Sequence, residues 1–567
     1  MYFKEIFDIY KQAWRILQAK YKPTVVKHAL GLSLLSIADF VGLAVLVPLL
    51  VVLLNSGLHN SIFGHYPVTY LFAFLAGVML FFIVKAYVSF FLLKKQASLV
   101  SRIVRNISEI NTRQFLDLPY EKRLETNSSL FSEKVYFQPL LIGQGIFVPL
   151  FVLFQESVVL ICILCGLLVF YPFISLGLMI VLALSGIIMY KWIRSRTKVL
   201  GQSNISKRKN LFNEITLSHS GMLDIKQNQA QEFYIKDITD KVYTLAKGEL
   251  ETNTLKVIPF RVNELISVVG LAAMILYAYM IDFQEDFILF GSVFALALFR
   301  AVPAINRIQL NLVQMRLYSN HLKTLNINTS VEIESEVLAP FCKNLSVKAV
   351  SQTYRESNEP IFNPLNFTIP AGTITVFSGR SGAGKSTMLK IIAGQVTPSK
   401  GELWVDGVKI TPNNIKSWQN QLTYISQKPF VHRGSILDNL TLGSDKAVDK
   451  KRAEEALVLS GLNEFVDGWE TRAIGEEGFK ISEGQKQRLL LARALYRNTR
   501  ILLLDEITAN LDSENTHYIL RTLRAMRQRG CTIILISHNP DFFTIADLNI
   551  NFKDKQIYLH EYSKSES

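Results

Sequence analysis

The sequence predicts a multidomain chain: an all-α transmembrane domain of six helices, followed by an α/β domain wound around a phosphate-binding loop. Three observations carry this. Residues up to about 310 hold long apolar runs, whereas the rest has the mixed composition of a soluble domain. At 567 residues the chain is too long for one hydrophobic core. And Gly379 to Thr387 read Gly-Arg-Ser-Gly-Ala-Gly-Lys-Ser-Thr, between a strand-like run, Thr373 to Phe377, and a helix-like run, Met388 to Ile392. The expected boundaries are 1–325 for the membrane domain, 326–340 for a linker and 341–567 for the α/β domain.

A bilayer-spanning helix needs about 20 apolar residues. Six segments meet that length, at roughly 28–54, 68–93, 144–169, 173–193, 257–281 and 286–308. The connections Ser56 to Pro67, Tyr171-Pro172 and Asp282 to Glu285 contain no Lys or Arg, while 1–27, 94–137 and 194–256 contain many. Basic residues stay on the cytoplasmic side, so both termini are expected there, in a multi-pass protein of the cell (inner) membrane. The net charge of +14 is thus read as topology, with membrane lipids rather than nucleic acid as the surroundings. The charged first 25 residues precede a span too long for a signal-peptide core, so no cleavage is expected. The four cysteines suggest no disulfide framework: Cys162 and Cys165 sit in an apolar helix, and Cys342 and Cys531 are isolated.

The segments 94–137 and 194–256 are helix-compatible, and about 20 residues of helix would carry each span about 30 Å past the bilayer. Turns that could dock on a soluble domain are expected near Leu118-Pro119-Tyr120 and Ser218-His219-Ser220-Gly221. Several ionisable residues lie within the spans, among them Asp39, Lys85, Glu156, Arg261, Glu264, Arg300 and Arg307. Such groups are costly in lipid and turn toward a bundle interior or a wet cavity. Arg261 and Glu264 share a helical face and are expected to pair. Lys85 and Arg307 are expected to snorkel. For Asp39, Glu156 and Arg300, pathway lining and structural pairing both stand. Pro303 is expected to kink its span.

In the C-terminal half the nonapeptide fits G-x-x-x-x-G-K-[ST]. Its glycines, Gly379, Gly382 and Gly384, with Arg380, Ser381 and Ala383, let backbone N–H groups curl around phosphate oxygens at a helix N-terminus. Lys385 adds a full charge, and Ser386, followed by Thr387, offers a hydroxyl to Mg²⁺. Tyr354, in a strand-like stretch 25 residues before Gly379, is placed to stack on adenine or to fill the core. Gln427 ends a short strand pattern, where its amide can ligate Mg²⁺ or hold a water. Arg500 to Glu506 read as a buried strand ending in two acids: Asp505 for the metal, Glu506 to polarise water for attack on a γ-phosphate. His538, after the strand Ile533 to Ser537, is placed to touch that phosphate. ATP and Mg²⁺ are the cofactors this pattern calls for.

Ile481-Ser482-Glu483-Gly484-Gln485 resembles the signature of the ATP-binding cassette (ABC) ATPases, usually Leu-Ser-Gly-Gly-Gln. With Tyr354, Gly379 to Thr387, Gln427, Asp505-Glu506, Ala509 to Asp512 and His538, the nucleotide motifs of that family follow in order, and the membrane half resembles that of ABC exporters. The resemblance implies a half-transporter whose partner is a second copy or a sibling chain. Each ATP would lie between one phosphate loop and the facing Ser482, Gly484 and Gln485. It also implies that Glu506 is the base and that Gln427 links the metal site to the membrane helices. Ser482 and Gln485 have the spacing of a capping box. Glu483 departs from the usual glycine; its side chain is expected to point away from the phosphate, and if it does not, the site would hydrolyse poorly. Ala473 to Gly478 resembles an exporter-specific loop. The implied activity is ATP-driven export or lipid flipping of an amphiphilic or anionic substrate. A weak likeness of Tyr120 to Ser129 points to lipid-linked oligosaccharides; peptide or drug export and an ATP-gated channel are the alternatives.

Overall fold

The computed structural model describes residues 2–54, 68–118, 126, 128–170, 199–201, 203–280, 287–325, 336–353, 359–427, 430–442, 448–471, 473–474, 481–506 and 513–561. The expected span 173–193, Tyr354, Pro119-Tyr120, Gly475 to Gly478 and Ala509 to Asp512 lie outside these residues. The chain divides into two units, one formed by Met1–Leu118 with Lys122–Thr329, the other containing Ser330–Ser567.

The first unit is helical. Its long elements are α1 (Tyr2–Ile16), α2 (Lys22–Leu54), α3 (Val68–Leu116), α4 (Val148–Phe170), α5 (Gln231–Met280) and α6 (Phe287–Lys323). Among the described residues, three stretches are long and apolar enough to cross a membrane: Lys22–Gly42, Phe72–Leu116 and Ser129–Leu168. As the scarcity of Gly and Pro predicts, the helices run on beyond the expected spans 68–93 and 257–281: α3 continues to Leu116, and α5 starts at Gln231. At the second expected docking turn, a helix over 203–220 ends, Gly221 turns, and the short helix Met222–Gln227 follows. Both Pro259 and Pro303 sit inside long helices.

Ahead of α4 the chain makes two π-helical turns, Glu133–Phe137 and Gly143–Phe147. A π-turn displaces carbonyls from the helical ladder. Helix α3 meets the first one: Asn111 Nδ2 donates to the Lys134 carbonyl at 2.6 Å and Ser108 Oγ to that of Val135 at 2.8 Å. At the second, close approach demands glycine. A Cβ on Gly145 would lie 2.2 Å from the Tyr318 ring, and one on Gly143 2.4 Å from Val104. Around this knot pack Ile9, Ala13 and Ile16 of α1 with Leu99, Ile103 and Ile107 of α3.

Among the described residues the second unit holds twelve strands: β1 (Asn344–Gln352), β2 (Phe362–Pro370), β3 (Ile374–Gly379), β4 (Lys400–Val405), β5 (Val408–Lys409), β6 (Leu422–Ile425), β7 (Gly434–Ser435), β8 (Ala473–Ile474), β9 (Ile501–Asp505), β10 (Thr532–Ile536), β11 (Leu548–Lys553) and β12 (Gln556–Glu561). Six form the order β12-β11-β3-β10-β9-β6, with β11, β3, β10, β9 and β6 parallel. Both faces are covered, so the strands read as unbroken apolar runs. In β9, Leu502 and Leu504 join one core while Ile501 and Leu503 join the other; Ile533 and Leu535 alternate with Ile534 and Ile536 in the same way. Helices α7 (Lys385–Ile392), α8 (Glu483–Arg497) and α9 (Ser513–Gln528) follow the loops that carry the chemistry.

Candidate functional site

The carboxyl ends of β3, β10, β9 and β6 gather the predicted residues, as parallel α/β sheets generally do with ligand sites. Register dictates the gathering. Ile425 lies opposite Leu504, which sets Gln427 level with Glu506. Ile536 lies opposite both Phe377 and Asp505, which brings His538 level with Gly379, where the loop begins.

The loop leaves β3 through Gly379 at φ +126°, where a Cβ would meet the Phe552 carbonyl at 2.2 Å. Gly384, at φ +93°, precedes α7, and a Cβ there would run into Phe362 at 2.6 Å. No side chain fits at either place, so these two glycines are set by the packing of the loop itself. Gly382, between them, is glycine for a different reason: a Cβ would meet nothing within 4 Å, but the backbone turns through φ +81°. It stands in open space on the loop. Lys385 is buried at the start of α7, and its Nζ donates to the carbonyls of Gly379 at 2.7 Å and Arg380 at 2.9 Å. Burial pulls its pKa below the ordinary lysine value, while the charges of Glu506 and Asp505 act the other way.

Asp505 is buried, and neutral donors hold both its oxygens. Ser386 Oγ donates to Oδ1 at 2.8 Å, and the Tyr424 hydroxyl donates to Oδ2 at 2.7 Å. Tyr424 was missed by sequence reasoning, although it stands in the same tetrapeptide as Gln427. Glu506 has φ +53°, a left-handed conformation that costs a non-glycine residue about 1–2 kcal/mol. That strained turn carries its carboxylate off the strand, where Gln427 Nε2 donates to Oε2 at 3.2 Å. His538 is exposed and makes no hydrogen bond among the described residues.

The signature residues form a separate place. Ser482 caps α8 by accepting the N–H of Gln485 at 3.2 Å, and the Gln485 side chain accepts the N–H of Ser482 at 2.7 Å, completing the capping box. Gln485 Nε2 also donates to Glu464 at 2.6 Å. Gly484 is required because a Cβ would lie within 2.8 Å of the Asn515 side chain. The Glu483 carboxylate is drawn one turn along the helix to Lys486, at 3.0 Å. Among the described residues no hydrogen bond joins Ser482, Gly484 or Gln485 to the phosphate loop. Behind them Arg493 is buried, donating to the Asn439 carbonyl at 2.7 Å; burial lowers its pKa to about 10.

In the helical unit, Arg261 Nη1 donates to Glu264 at 3.1 Å, as their spacing predicts. Lys85 and Arg307, expected to snorkel, each have an acid partner as well. Lys85 is ion-paired to Asp39, and Arg307 donates to Glu156 at 2.7 Å, because facing helices bring acids within reach. Arg300 joins both acids, at 3.3 Å from Glu156 and 3.5 Å from Asp39.

Residues 362–509 match the ABC transporter family. The chain is 35% identical over 208 residues to a multidrug resistance ABC transporter ATP-binding and permease protein of Lactococcus lactis, covering 36% of this chain and 35% of that one. It is 34% identical over 208 residues to an ATP-dependent lipid A-core flippase of Alcanivorax borkumensis, again 36% and 35%. These matches span about a third of each relative's length. A bacterial Atm1-family ABC exporter with ATP bound shares the fold, with a TM-score of 0.75 at 18% identity over 96% of this chain and 95% of that one. Residues 362–509 are thus similar to ABC transporter domains, and the chain as a whole has the fold of that exporter.

Proposed function

We propose that the chain is one half of an ATP-driven exporter or flippase of the cell membrane. Both termini are cytoplasmic, six helices cross the bilayer, and the partner is a second copy or a sibling chain. The observation that carries the reading is the pair of acids at the end of β9. Asp505 is tied to the phosphate-loop Ser386, and Glu506 is turned off the strand against Gln427.

The donor set fits a hard cation bound with a nucleotide: the Ser386 hydroxyl and Asp505 carboxylate are oxygen ligands 2.8 Å apart, and Gln427 adds an amide. When bound, Mg²⁺·ATP supplies the transferable γ-phosphoryl group and spreads its charge. The chain does the rest. The loop amides of Gly379 to Thr387 and Lys385 hold the phosphates, and Tyr354, two residues past β1 in the sequence, is the residue assigned to adenine. Glu506 orients a water and accepts its proton as the water oxygen bonds to phosphorus and ADP leaves. The dipole of α8, capped by Ser482, favours phosphate negative charge across a dimer. His538 stands level with the loop, ready to contact the same phosphate. Closing and opening of two cassettes then drives the helical units, with the turn at Gly221 as one docking point. The substrate is an amphiphile, with lipid-linked oligosaccharide the leading class and peptides or drugs the alternative.

The test is Glu506→Gln in the reconstituted dimer. It is expected to retain bound ATP and to lose steady-state turnover by at least about a hundredfold, the lower end for a general base. Undiminished hydrolysis would remove Glu506 from its role.

A further inference from the structure

A separate cluster of polar side chains lies where the helices run past their expected spans. A cavity of about 260 Å³ opens there, walled by Asn204 and Arg208 of the helix over 203–220, Glu249 and Thr252 of α5, and Tyr318 and His321 of α6. Tyr318 lies well past the expected end of its span at 308, by about 15 Å of helix. With the topology proposed above, the cavity is on the cytosolic side and outside the bilayer. Its size is just below the roughly 300–1,000 Å³ of sites for drug-sized ligands, which sets its occupant at the scale of an amino acid or a dipeptide.

The wall carries one charge of each sign. Arg208 Nη2 donates to Glu249 Oε1 at 2.7 Å, and among the described residues neither side chain makes another hydrogen bond. A guanidinium has five N–H donors and a carboxylate two oxygens, so the remaining donors of Arg208 and Oε2 of Glu249 stay available. The two side chains are 17% and 48% exposed, so solvent reaches both. His321 adds no charge: burial first, then the charges of Arg208 and Lys134, lowers its pKa to about 4, and its ring is neutral at neutral pH. Asn204 Oδ1 is buried with no hydrogen-bond partner among the described residues. Gly248 leaves it room, since a Cβ there would lie 2.3 Å from that oxygen. A buried acceptor left in this way calls for a donor.

We propose that this cavity binds a small water-soluble zwitterion of the amino-acid or dipeptide class, its carboxylate on the unengaged N–H groups of Arg208 and its ammonium group on Glu249 Oε2 and Asn204 Oδ1. A simple anion meets repulsion from Glu249 and a simple cation meets it from Arg208, whereas a molecule with both charges forms a charge-assisted hydrogen bond at each end. Bound there, it ties α6 to the two helices that Arg208 and Glu249 already join. Only the cytosolic placement rests on the exporter reading.

The test uses the full chain in detergent without nucleotide, so that binding is read independently of hydrolysis, by saturation-transfer NMR titration of each probe. The probes are glycylglycine, its N-acetyl form, which lacks the ammonium charge, and glycylglycinamide, which lacks the carboxylate. Glycylglycine is expected to bind about tenfold more tightly than either derivative, the scale of one charge-assisted hydrogen bond. Arg208→Gln should erase its advantage over glycylglycinamide and keep its advantage over the N-acetyl form. Glu249→Gln should do the reverse. A purely structural role for the ion pair would not split the two in this way. Arg113→Gln, which breaks an exposed pair on α3, should leave both advantages intact. Equal affinity for the three probes, no binding of any of them, or Arg208→Gln and Glu249→Gln altering the pattern alike overturns the proposal. A chain that hydrolyses ATP yet does not discriminate among the probes fails this inference alone. One that discriminates but never hydrolyses ATP fails the exporter reading alone.

Discussion

Two sites in this chain hold a pair of carboxylates, and they treat them in opposite ways. In the helical unit, Asp39 and Glu156 are each clasped by two cations. In the cassette, Asp505 and Glu506 are held by a serine, a tyrosine and a glutamine, all neutral donors. A carboxylate bonded to Arg has its charge cancelled, whereas one held by hydroxyl and amide donors is oriented and keeps its charge for a metal or a proton. The first arrangement ties helices together; the second holds negative charge where the proposed reaction would use it.

That contrast can be broken most forcefully at Glu156. Removing one partner of a buried ion pair strands the others, at a cost of about 3–5 kcal/mol. Glu156→Ala, which leaves Arg300 with one acid and Arg307 with none, is expected to lower the unfolding midpoint of the helical unit sharply in detergent. Nucleotide binding by the cassette should persist. A midpoint equal to that of the native chain would show that the clasp contributes nothing.

Tyr424 sharpens the other side of the comparison. If its hydroxyl orients Asp505 without cancelling its charge, Tyr424→Phe removes one hydrogen bond to a charged group, worth about 1.5–3 kcal/mol. The expected outcome is a higher Mg²⁺ requirement for ATP hydrolysis, by about tenfold or more, with an unchanged fold. An unaltered Mg²⁺ dependence would mean that Ser386 alone positions the acid.

How much of this could be read beforehand depends on the range of each contact. The phosphate loop was legible because its glycines, Lys385 and Ser386 lie within one nonapeptide, and their chemistry is local. The capping box at Ser482 and the pairing of Arg261 with Glu264 are likewise contacts three residues apart. Tyr424 was not legible as a partner of Asp505, since the two are 81 positions apart and meet only because β6 pairs with β9. The acid partners of Lys85 and Arg307 were not legible for the same reason. Position along a helix indicates depth, but which acid faces a lysine is decided by the neighbouring helix. Nor could the left-handed turn at Glu506 be foreseen, because a glutamate is not a residue that signals positive φ.

The smallest effect concerns Glu483, where the two treatments of charge meet. A carboxylate at the amino end of α8 suits the helix dipole but would repel the phosphate proposed to bind there. Lys486 answers this by drawing the carboxylate one turn along the helix at 3.0 Å, cation clasping acid as in the helical unit, but on an exposed surface. Exposed pairs of this kind are weak and screened by salt. Lys486→Met is therefore expected to raise the KM for ATP only about two- to threefold at low ionic strength, and less at high salt. Adding Glu483→Gly should cancel the defect, because the charge that needed restraint is gone. If the double variant is as impaired as Lys486→Met alone, Lys486 acts on the nucleotide or on the facing cassette directly, and Glu483 is a bystander at the helix end.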